Sequence, residues 1–318
     1  MNESKEPLLI ISGPTAVGKT ELSIRLAREL DGEIISADSV QVYRGMDIGS
    51  AKIRPEEMQG VPHHLIDCLD PGEEFHVQAF QSMVKEAIAG IRERGHLPIL
   101  VGGTGFYIQA VIKDVDFTDM PDDTDYQASL WALGEREGKE ALHRLLEDVD
   151  PESAASIPAG NEKRIIRALE YYHLTGERFS VHNAGQRQKE PAYNTAYFVL
   201  TDDRDVVYER INRRVDLMME EGLLQEVQKL KSAGIPATAT SMQALGYKEL
   251  YDYLEGRQSL EEAIDLIKQR TRHFAKRQLT WFRREADVIW IDKRDFDHDN
   301  DKIVTFMKRK AEELGLLR

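Results

Sequence analysis

The chain has 318 residues, of which 41% are hydrophobic, and this is enough to form one large core and a smaller second unit. Its formal net charge of -14 excludes a protein that binds nucleic acid indiscriminately, because such binding needs an excess of Lys and Arg. The single cysteine, Cys68, excludes an intramolecular disulfide and a zinc site built from several cysteines.

The N-terminal residues lack the basic region and apolar stretch of a secretion signal. No apolar run approaches the roughly 18 residues that a helix needs to span a bilayer. Together with the single cysteine, these features indicate a cytoplasmic protein with no membrane contact. We also expect it to be a monomer.

Short apolar runs that alternate with helical periodicity predict an α/β fold. Residues 7–13 form a continuous apolar run that ends in Gly13, which is typical of a parallel strand covered on both faces. Leu22, Leu26 and Leu30 then recur every four residues, and this spacing predicts a helix with one buried stripe. Further buried strands are predicted at residues 33–37, 97–101, 196–200 and 288–291. The repeated alternation predicts a doubly wound parallel sheet.

The alternation of strand and helix is interrupted near Asp116. The segment that follows is acidic and rich in turn residues, and only helical periodicities occur before strand character returns at Ala196. We therefore expect residues 117–188 to form an all-helical domain inserted into a core domain made of residues 1–116 and 189–318.

A motif between the first predicted strand and helix indicates a phosphate site. It matches G-x-x-x-x-G-K-[ST] in full, so the predicted core is a P-loop NTPase-like sheet. Backbone N–H groups of such a loop surround phosphate oxygens, and the helix N-terminus adds a partial positive charge. Lys19 adds a full charge, and Thr20 can hold a Mg²⁺ ion that bridges phosphate oxygens. The predicted diphosphate-binding residues are Gly13, Pro14, Thr15, Ala16, Val17, Gly18, Lys19 and Thr20.

The motif predicts that a polyphosphate binds, but it does not say whether a phosphoryl group moves. The predicted strand 97–101 is followed by Gly-Gly-Thr-Gly at 102–105, without the acidic residue that holds magnesium in many phosphoryl-transfer enzymes. The second predicted strand ends instead in Asp38, at the edge where open α/β sheets bind ligands. Asp38 is therefore the leading candidate for a catalytic group, with a turn or helix cap as the alternative.

Several blocks of sequence, in the same order, resemble the tRNA dimethylallyltransferase family, also called IPP transferases. The blocks are residues 38–52, 61–67, 102–107, 164–170, 246–249 and 271–282. The resemblance covers nearly the whole chain. It is to the bacterial type, because the sequence lacks the C-terminal Cys/His zinc finger of eukaryotic relatives, so we expect no zinc.

The resemblance implies that the P-loop binds the diphosphate of dimethylallyl diphosphate. N6 of the adenine immediately 3′ to the anticodon of tRNA would attack the allylic carbon, and no phosphoryl group would be transferred. Lys19, the loop amides, Mg²⁺ on Thr20 and Arg214 would stabilise the leaving diphosphate. Asp38 would orient N6 and accept its proton as the new bond forms. Arg214 matches an arginine of the family, although its spacing alone is that of an ordinary polar-face residue.

A long helix is predicted to begin at Ser259, which has the capping-box spacing with Glu262. Its basic residues occupy the face opposite the apolar ones, and no acidic residue occurs from Lys268 to Arg284. In a chain of net charge -14, this segregation favours a track for a phosphate backbone over a merely solvated face.

The resemblance adds candidate tRNA-binding residues from several segments. With the basic helix included, they are Asp38, Ser39, Val40, Gln41, Thr104, Glu162, Lys163, Arg164, Ile165, Ile166, Arg167, Gln243, Gly246, Lys248, Arg272, Lys276 and Arg277. We expect the insertion and the basic helix to hold the anticodon stem-loop from two sides, with the target base extruded. Thr104 could equally be a structural turn residue, and Tyr43 and Trp281 could each stack on a base or belong to the core.

Three other functions are compatible with parts of the sequence. An isopentenyltransferase that acts on free adenine nucleotides shares the phosphate loop and an adenine acceptor, but it does not need the basic helix or the insertion. A small-molecule kinase would match the N-terminal third alone. An RNA-binding protein that senses a nucleotide would bind tRNA without making a product.

Overall fold

The computed structural model describes residues 5–117 and 123–317, and its centre is a six-stranded sheet. The strands are β1 Glu6–Ser12, β2 Gly32–Ala37, β3 His63–His64, β4 Leu97–Gly102, β5 Tyr193–Thr201 and β6 Val288–Asp292. All neighbouring strands are parallel, in the order β3-β2-β4-β1-β5-β6. The predicted parallel sheet is confirmed, and every strand except β3 lies where an apolar run predicted it.

The helices flank the sheet and form a separate group between β4 and β5. They are α1 Lys19–Leu30, α2 Val77–Glu93, α3 Gly105–Ile112, α4 Thr124–Glu137, α5 Lys139–Val149, α6 Pro151–Ser156, α7 Glu162–Thr175, α8 Phe179–Gln188, α9 Arg204–Glu221, α10 Leu223–Ser232, α11 Tyr247–Leu254, α12 Leu260–Phe282 and α13 Asn300–Glu313. No helix within the described residues is both long enough and apolar enough to cross a bilayer.

Side chains of β1 alternate between two hydrophobic cores, one on each face of the sheet. Leu8 and Ile10 pack in a core with residues of α2, α3, α10, α11 and α12. Leu9 and Ile11 pack in a second core with residues of α1 and α13. Because both faces are covered, the central strands consist of continuous apolar runs, which is why the sequence predicted them.

Strand β3 was not predicted, because its two residues form no apolar run. His63 and His64 pair with Ile34 and Ile35 of β2. His64 Nε2 also lies 2.6 Å from Glu33 Oε2. Arg94 donates two hydrogen bonds to the same carboxylate, at 2.9 and 2.7 Å, and this guanidinium lowers the pKa of Glu33 to about 2. The position of β3 thus depends on contacts with β2 that a local pattern does not reveal.

The chain folds as two compact units. The first comprises Met1–Ile112 with Pro191–Arg318, and the second comprises Lys113–Glu190, compared with the 117–188 expected from sequence. The second unit contains α4 to α8, and its own core includes Leu142, Leu146 and Ile165. In the first unit, Ala192 N donates to Ile112 O at 2.7 Å, so the chain leaves and re-enters this unit at neighbouring points. Residues 118–122 of the acidic segment lie outside the described residues.

Candidate active site

The connection between β1 and α1 has the backbone geometry of a phosphate loop. Gly13 has a φ of 140°, and a Cβ at this position would lie 2.5 Å from Leu200 O, so only glycine fits where the loop passes β5. Gly18 has a φ of 95° and is the N-cap of α1, with no side chain capping the helix. The first N–H groups of α1 are therefore available to an anion, which the helix dipole also favours.

Lys19 folds back over the start of this loop. Its Nζ donates to Gly13 O at 3.0 Å and to Pro14 O at 2.9 Å. Burial and the nearby positive charge of Arg214 lower the pKa of Lys19 to about 8, against the opposing effect of the Asp38 carboxylate. The charge of Lys19 is therefore incompletely compensated, as expected of a group that binds an anion.

Asp38 lies directly after β2, close enough to Lys19 for their charges to interact. Its Oδ1 accepts hydrogen bonds from Val40 N at 2.8 Å and Gln41 N at 3.3 Å. Among the described residues, Oδ2 has no hydrogen-bond partner. Burial raises the pKa of Asp38, while the two amides and Lys19 act in the opposite direction. One oxygen is thus held by the backbone, and the other is free to accept a proton.

Glycines at the end of β4 allow groups from both sides of that strand to meet. β4 lies between β2, which leads to Asp38, and β1, which leads to the phosphate loop. A Cβ on Gly102 would lie 2.2 Å from Ala37 O, and one on Gly103 would lie 2.1 Å from Gln278 Nε2. No acidic side chain fits at Gly102, where the close atom belongs to the backbone, and one at Gly103 would have to displace the Gln278 amide. This accounts sterically for the missing magnesium-binding acid of kinases.

Gln278 of α12 links the phosphate loop to the end of β4, and the sequence analysis missed it. Its Oε1 accepts from Thr15 N at 2.9 Å, and its Nε2 donates to Gly103 O at 3.0 Å. A signal was present, because Gln278 is spaced with the apolar residues Ala275 and Phe282 on the buried face of α12. A glutamine at a buried helix position must find hydrogen-bond partners.

Arg214 and Thr20 also lie near the loop. Arg214 projects from α9 as an exposed residue, yet its charge is close enough to lower the pKa of Lys19. Thr20 is exposed in the first turn of α1. The described residues contain no cluster of three or more His, Cys, Asp or Glu side chains suited to a metal. A single hydroxyl fits Mg²⁺ when phosphate oxygens and water supply the other ligands.

Helix α12 presents a basic, partly aromatic cavity of about 490 Å³ on its exposed face. The predicted capping box is confirmed, since Glu262 N donates to Ser259 Oγ at 3.2 Å and Ser259 N donates to Glu262 Oε2 at 2.8 Å. The cavity is lined by His273, Lys276, Arg277, Thr280, Trp281 and Arg284.

Three basic residues of α12 are instead used within the fold. Lys268 pairs with Asp216 at 2.5 Å, Arg270 pairs with the buried Glu249 at 2.7 Å, and Arg272 donates to Asn212 at 2.5 Å. The sequence predicted one continuous basic face, but these contacts occupy its N-terminal half. The exposed charge is concentrated in the C-terminal half, around the cavity.

Tyr43 and Trp281, for which the sequence allowed either stacking on a base or a place in the core, have different surroundings. Tyr43 is fully buried and donates to Glu73 O at 3.2 Å, so it belongs to the core. Trp281 is partly buried and meets the exposed ring of Phe106 edge-on, with centroids 6.1 Å apart. Its buried Nε1 has no hydrogen-bond partner among the described atoms. An aromatic patch therefore borders the basic cavity.

The other predicted tRNA-binding residues of the first unit lie in loops and at helix ends. Ser39 and Val40 are half-buried beside Asp38, and Gln41 accepts from Ser36 Oγ at 2.9 Å. Thr104 is half-buried, and its O accepts from Tyr107 N and Ile108 N in the first turn of α3. Gln243 and Lys248 are exposed and hydrogen-bonded at 3.2 Å, whereas Gly246 is buried with a φ of 92°.

In the second unit, the predicted residues occupy the first turns of α7. Ile165 and Ile166 are buried in the core of the unit, at 0% and 3% exposure, so their side chains are not available at its surface. Lys163, Arg164 and Arg167 are exposed, and Arg167 pairs with the buried Glu170 at 2.8 Å. Glu162 is half-buried. The surface of this segment is therefore basic.

The chain is similar in sequence to a well-defined set of enzymes. A profile of the family described as "IPP transferase" matches residues 41–285. The tRNA dimethylallyltransferase of Lachnoclostridium phytofermentans is 55% identical over 308 residues, covering 97% of this chain and 98% of the relative. That of Bacillus subtilis is 49% identical over 315 residues, covering 98% of this chain and all of the relative.

Solved structures show the same similarity. The tRNA isopentenylpyrophosphate transferase of Bacillus halodurans superposes with a TM-score of 0.73 at 52% identity, covering 98% of both chains. A eukaryotic dimethylallyltransferase described as acting on tRNA superposes with a TM-score of 0.74 at 29% identity. This second match covers 90% of this chain and 74% of the eukaryotic one.

Proposed function

Because the chain belongs to the IPP transferase family, we propose that it transfers a dimethylallyl group from dimethylallyl diphosphate to N6 of the adenine immediately 3′ to the anticodon in tRNA. The products are N6-(dimethylallyl)adenosine in tRNA and diphosphate. The observation that carries the proposal is the position of Asp38 and Lys19, which approach each other from two sides of the glycine-rich end of β4.

The diphosphate would bind at the N-terminus of α1. Cleavage of the C–O bond leaves the bonding electron pair on the diphosphate oxygen, so negative charge increases there in the transition state. The loop amides, Lys19 and Arg214 are the groups of this chain suited to stabilise that charge. We propose that Thr20 would hold a Mg²⁺ ion, which would supply further positive charge to the diphosphate oxygens.

N6 of adenine would approach from the side of Asp38. As the new C–N bond forms, N6 becomes cationic and acidic, and its proton passes to Oδ2 of Asp38. An arylamine is too weak an acid to lose this proton before the C–N bond forms. Asp38 therefore orients N6 and accepts its proton in the same step. The buried setting that raises the pKa of Asp38 makes it a better proton acceptor than an ordinary aspartate.

The exposed cavity of α12 is the best candidate in the first unit for binding the tRNA backbone. It is lined by four basic or titratable side chains and by Trp281. Lysine and arginine side chains bind RNA by pairing with its backbone phosphates. The basic surface of α7 would provide a second contact with the anticodon stem-loop. We further propose that the enzyme acts as a monomer in the cytoplasm.

The test is to incubate the protein with dimethylallyl diphosphate, Mg²⁺ and unmodified tRNA, and to analyse the released nucleosides by mass spectrometry. We expect adenosine to gain one C₅H₈ unit, and the Lys19→Ala variant to give no product. Modification of AMP without modification of tRNA would instead support a nucleotide isopentenyltransferase. Transfer of labelled phosphate from ATP to a small acceptor, without prenylated tRNA, would support a kinase and refute the proposal.

A further inference from the structure

Lys293 is a buried lysine beside the phosphate loop, and the mechanism above does not use it. It directly follows β6 and is 7% exposed. Its Nζ lies 3.2 Å from the point that a Cβ on Gly18 would occupy, so the ammonium group lies against the N-cap of α1. Within residues 5–117 and 123–317, this Nζ makes no hydrogen bond and no ion pair.

The charges around Lys293 do not neutralise it. Asp202 and Glu21 attract its charge and Arg210 repels it, while burial makes the largest contribution to its lowered pKa. Asp202 is already paired with Arg210 at 2.8 Å, and Glu21 is paired with Arg25 at 2.8 Å. Removal of an ammonium group from water without a compensating partner has a free-energy cost. An anion that binds next to Gly18 would recover that cost.

Helix α9 carries a matching pair of arginines alongside the two lysines. Arg210 and Arg214 are four residues apart, about one helical turn, and so lie on the same side of α9. The positive charge of Arg214 lowers the pKa of Lys19, whose Nζ donates hydrogen bonds to Gly13 O and Pro14 O at the start of the loop. The positive charge of Arg210 lowers the pKa of Lys293, whose Nζ lies near the end of the loop at Gly18. The two lysines are thus associated with opposite ends of the phosphate loop.

We propose that Lys293 binds the terminal phosphate of the diphosphate and so favours diphosphates over monophosphates at this loop. Lys19 and Arg214 act on the phosphate whose oxygen is bonded to the allylic carbon, on the side of Asp38. The uncapped N-terminus of α1 and the unpaired ammonium of Lys293 converge on one anion. This inference rests on the proposed function, because it assumes that the loop binds a diphosphate.

The experiment is calorimetric titration of the full-length protein with inorganic pyrophosphate and, separately, with inorganic phosphate, both with Mg²⁺. We expect Lys293→Met to weaken pyrophosphate binding about tenfold to hundredfold, the range for loss of one charge-assisted hydrogen bond, while phosphate binding changes less than about threefold. Lys293→Arg should retain most of the pyrophosphate affinity. Lys302→Met, an exposed lysine paired with Asp297 at 2.6 Å, is the matched control and should bind like wild type.

Unchanged pyrophosphate affinity in Lys293→Met would overturn the inference. Equal weakening of both ligands would also overturn it, because Lys293 would then not distinguish a diphosphate from a monophosphate. If circular dichroism shows that this variant is unfolded, Lys293→Gln and Lys293→Arg decide the question in the same titrations. A different result would refute the proposed function: the wild-type protein would bind no pyrophosphate or would give no prenylated tRNA. Prenylation by wild type with unaltered pyrophosphate binding by Lys293→Met would refute the role of Lys293 alone.

Discussion

The two oxygens of the Asp38 carboxylate have different roles, one structural and one chemical. Its Oδ1 holds the turn after β2 through Val40 N and Gln41 N, while Oδ2 has no partner within the described part of the chain. An asparagine can keep the accepting oxygen of the turn but cannot take a proton from N6. The Asp38→Asn substitution therefore separates the two roles.

For Asp38→Asn we expect kcat for tRNA prenylation to fall about 10²-fold or more, the size of general-base effects, with tRNA affinity changed by less than about threefold. Single-turnover rates and tRNA binding are the measurements. Asp70→Asn, which removes an exposed partner of Arg44, is the control and should behave as wild type. A loss of tRNA affinity as large as the loss of rate would contradict proton transfer by Asp38.

The lowered pKa of Lys19 predicts that the affinity for diphosphate depends on pH. Only the protonated amine attracts a diphosphate, and its pKa of about 8 means that the free protein loses this proton as the pH rises through 8. Diphosphate affinity should therefore be level from pH 7 to 8 and then fall by up to about tenfold per pH unit. Calorimetry with pyrophosphate from pH 7 to 9.5 measures this.

Lys19→Arg is the matched variant, because a guanidinium stays protonated over this range. Arg214 and Asp38 face Lys19 in the wild type and are unchanged in the variant. We expect the decline just above pH 8 to be smaller in Lys19→Arg, and the remaining decline to come from Lys293, whose pKa is also lowered by burial. Identical profiles in the two proteins would assign the titration to another group.

The sequence predicted residues with a recognisable motif and missed those that act through long-range contacts. Lys19 and Asp38 were found because the loop motif and the strand end place them at the same edge of the sheet. Gln278 is 263 positions from its partner Thr15, and Lys293 is close to Gly18 only because β6 lies beside β5. No local pattern contains such pairings, since they depend on the order of strands in the sheet.

Among the elements, α12 was predicted correctly in position and only partly in the use of its charges. The capping box and the apolar stripe fix where it begins and which face is buried. The internal partners of Lys268, Arg270 and Arg272 lie on α9 and α11, and the sequence of α12 alone cannot reveal them. The exposed and the internal cations of one helix therefore provide a controlled comparison.

For Lys276→Ala, which removes an exposed lysine of the cavity, we expect the slope of log tRNA affinity against log salt to become shallower by about one unit. Lys268→Ala is the control on the same helix, because Lys268 is paired with Asp216, and its slope should be unchanged. Filter binding at salt concentrations from about 50 to 300 mM measures this slope. Equal slopes in wild type and both variants would make the cavity irrelevant to the tRNA backbone.

The second unit is inserted at a single point in the chain of the first unit. Ala192 N donates to Ile112 O at 2.7 Å, so the two cut ends of the first unit are already adjacent. The second unit has a hydrophobic core of its own, which includes Leu142 and Leu146. The phosphate loop, Asp38, Gln278 and Lys293 all belong to the first unit.

Replacement of residues 113–190 by a linker of about four Gly and Ser residues should therefore leave a folded sheet. We expect the shortened protein to bind pyrophosphate within about threefold of wild type, because its phosphate loop and both cores of the sheet are intact. Its tRNA affinity should fall by at least about tenfold, since the basic surface of α7 is gone. Circular dichroism, calorimetry and filter binding measure the three properties.

The full-length double variant Lys163→Ala, Arg164→Ala is the matched comparison, because it removes two exposed charges of α7 and keeps the unit. A smaller loss of tRNA affinity than in the shortened protein would mean that the unit contributes shape as well as charge. Wild-type tRNA affinity in the shortened protein would assign tRNA binding to the core, with α12 as its main surface. Loss of pyrophosphate binding would show instead that the inserted unit is needed to hold the phosphate loop in shape.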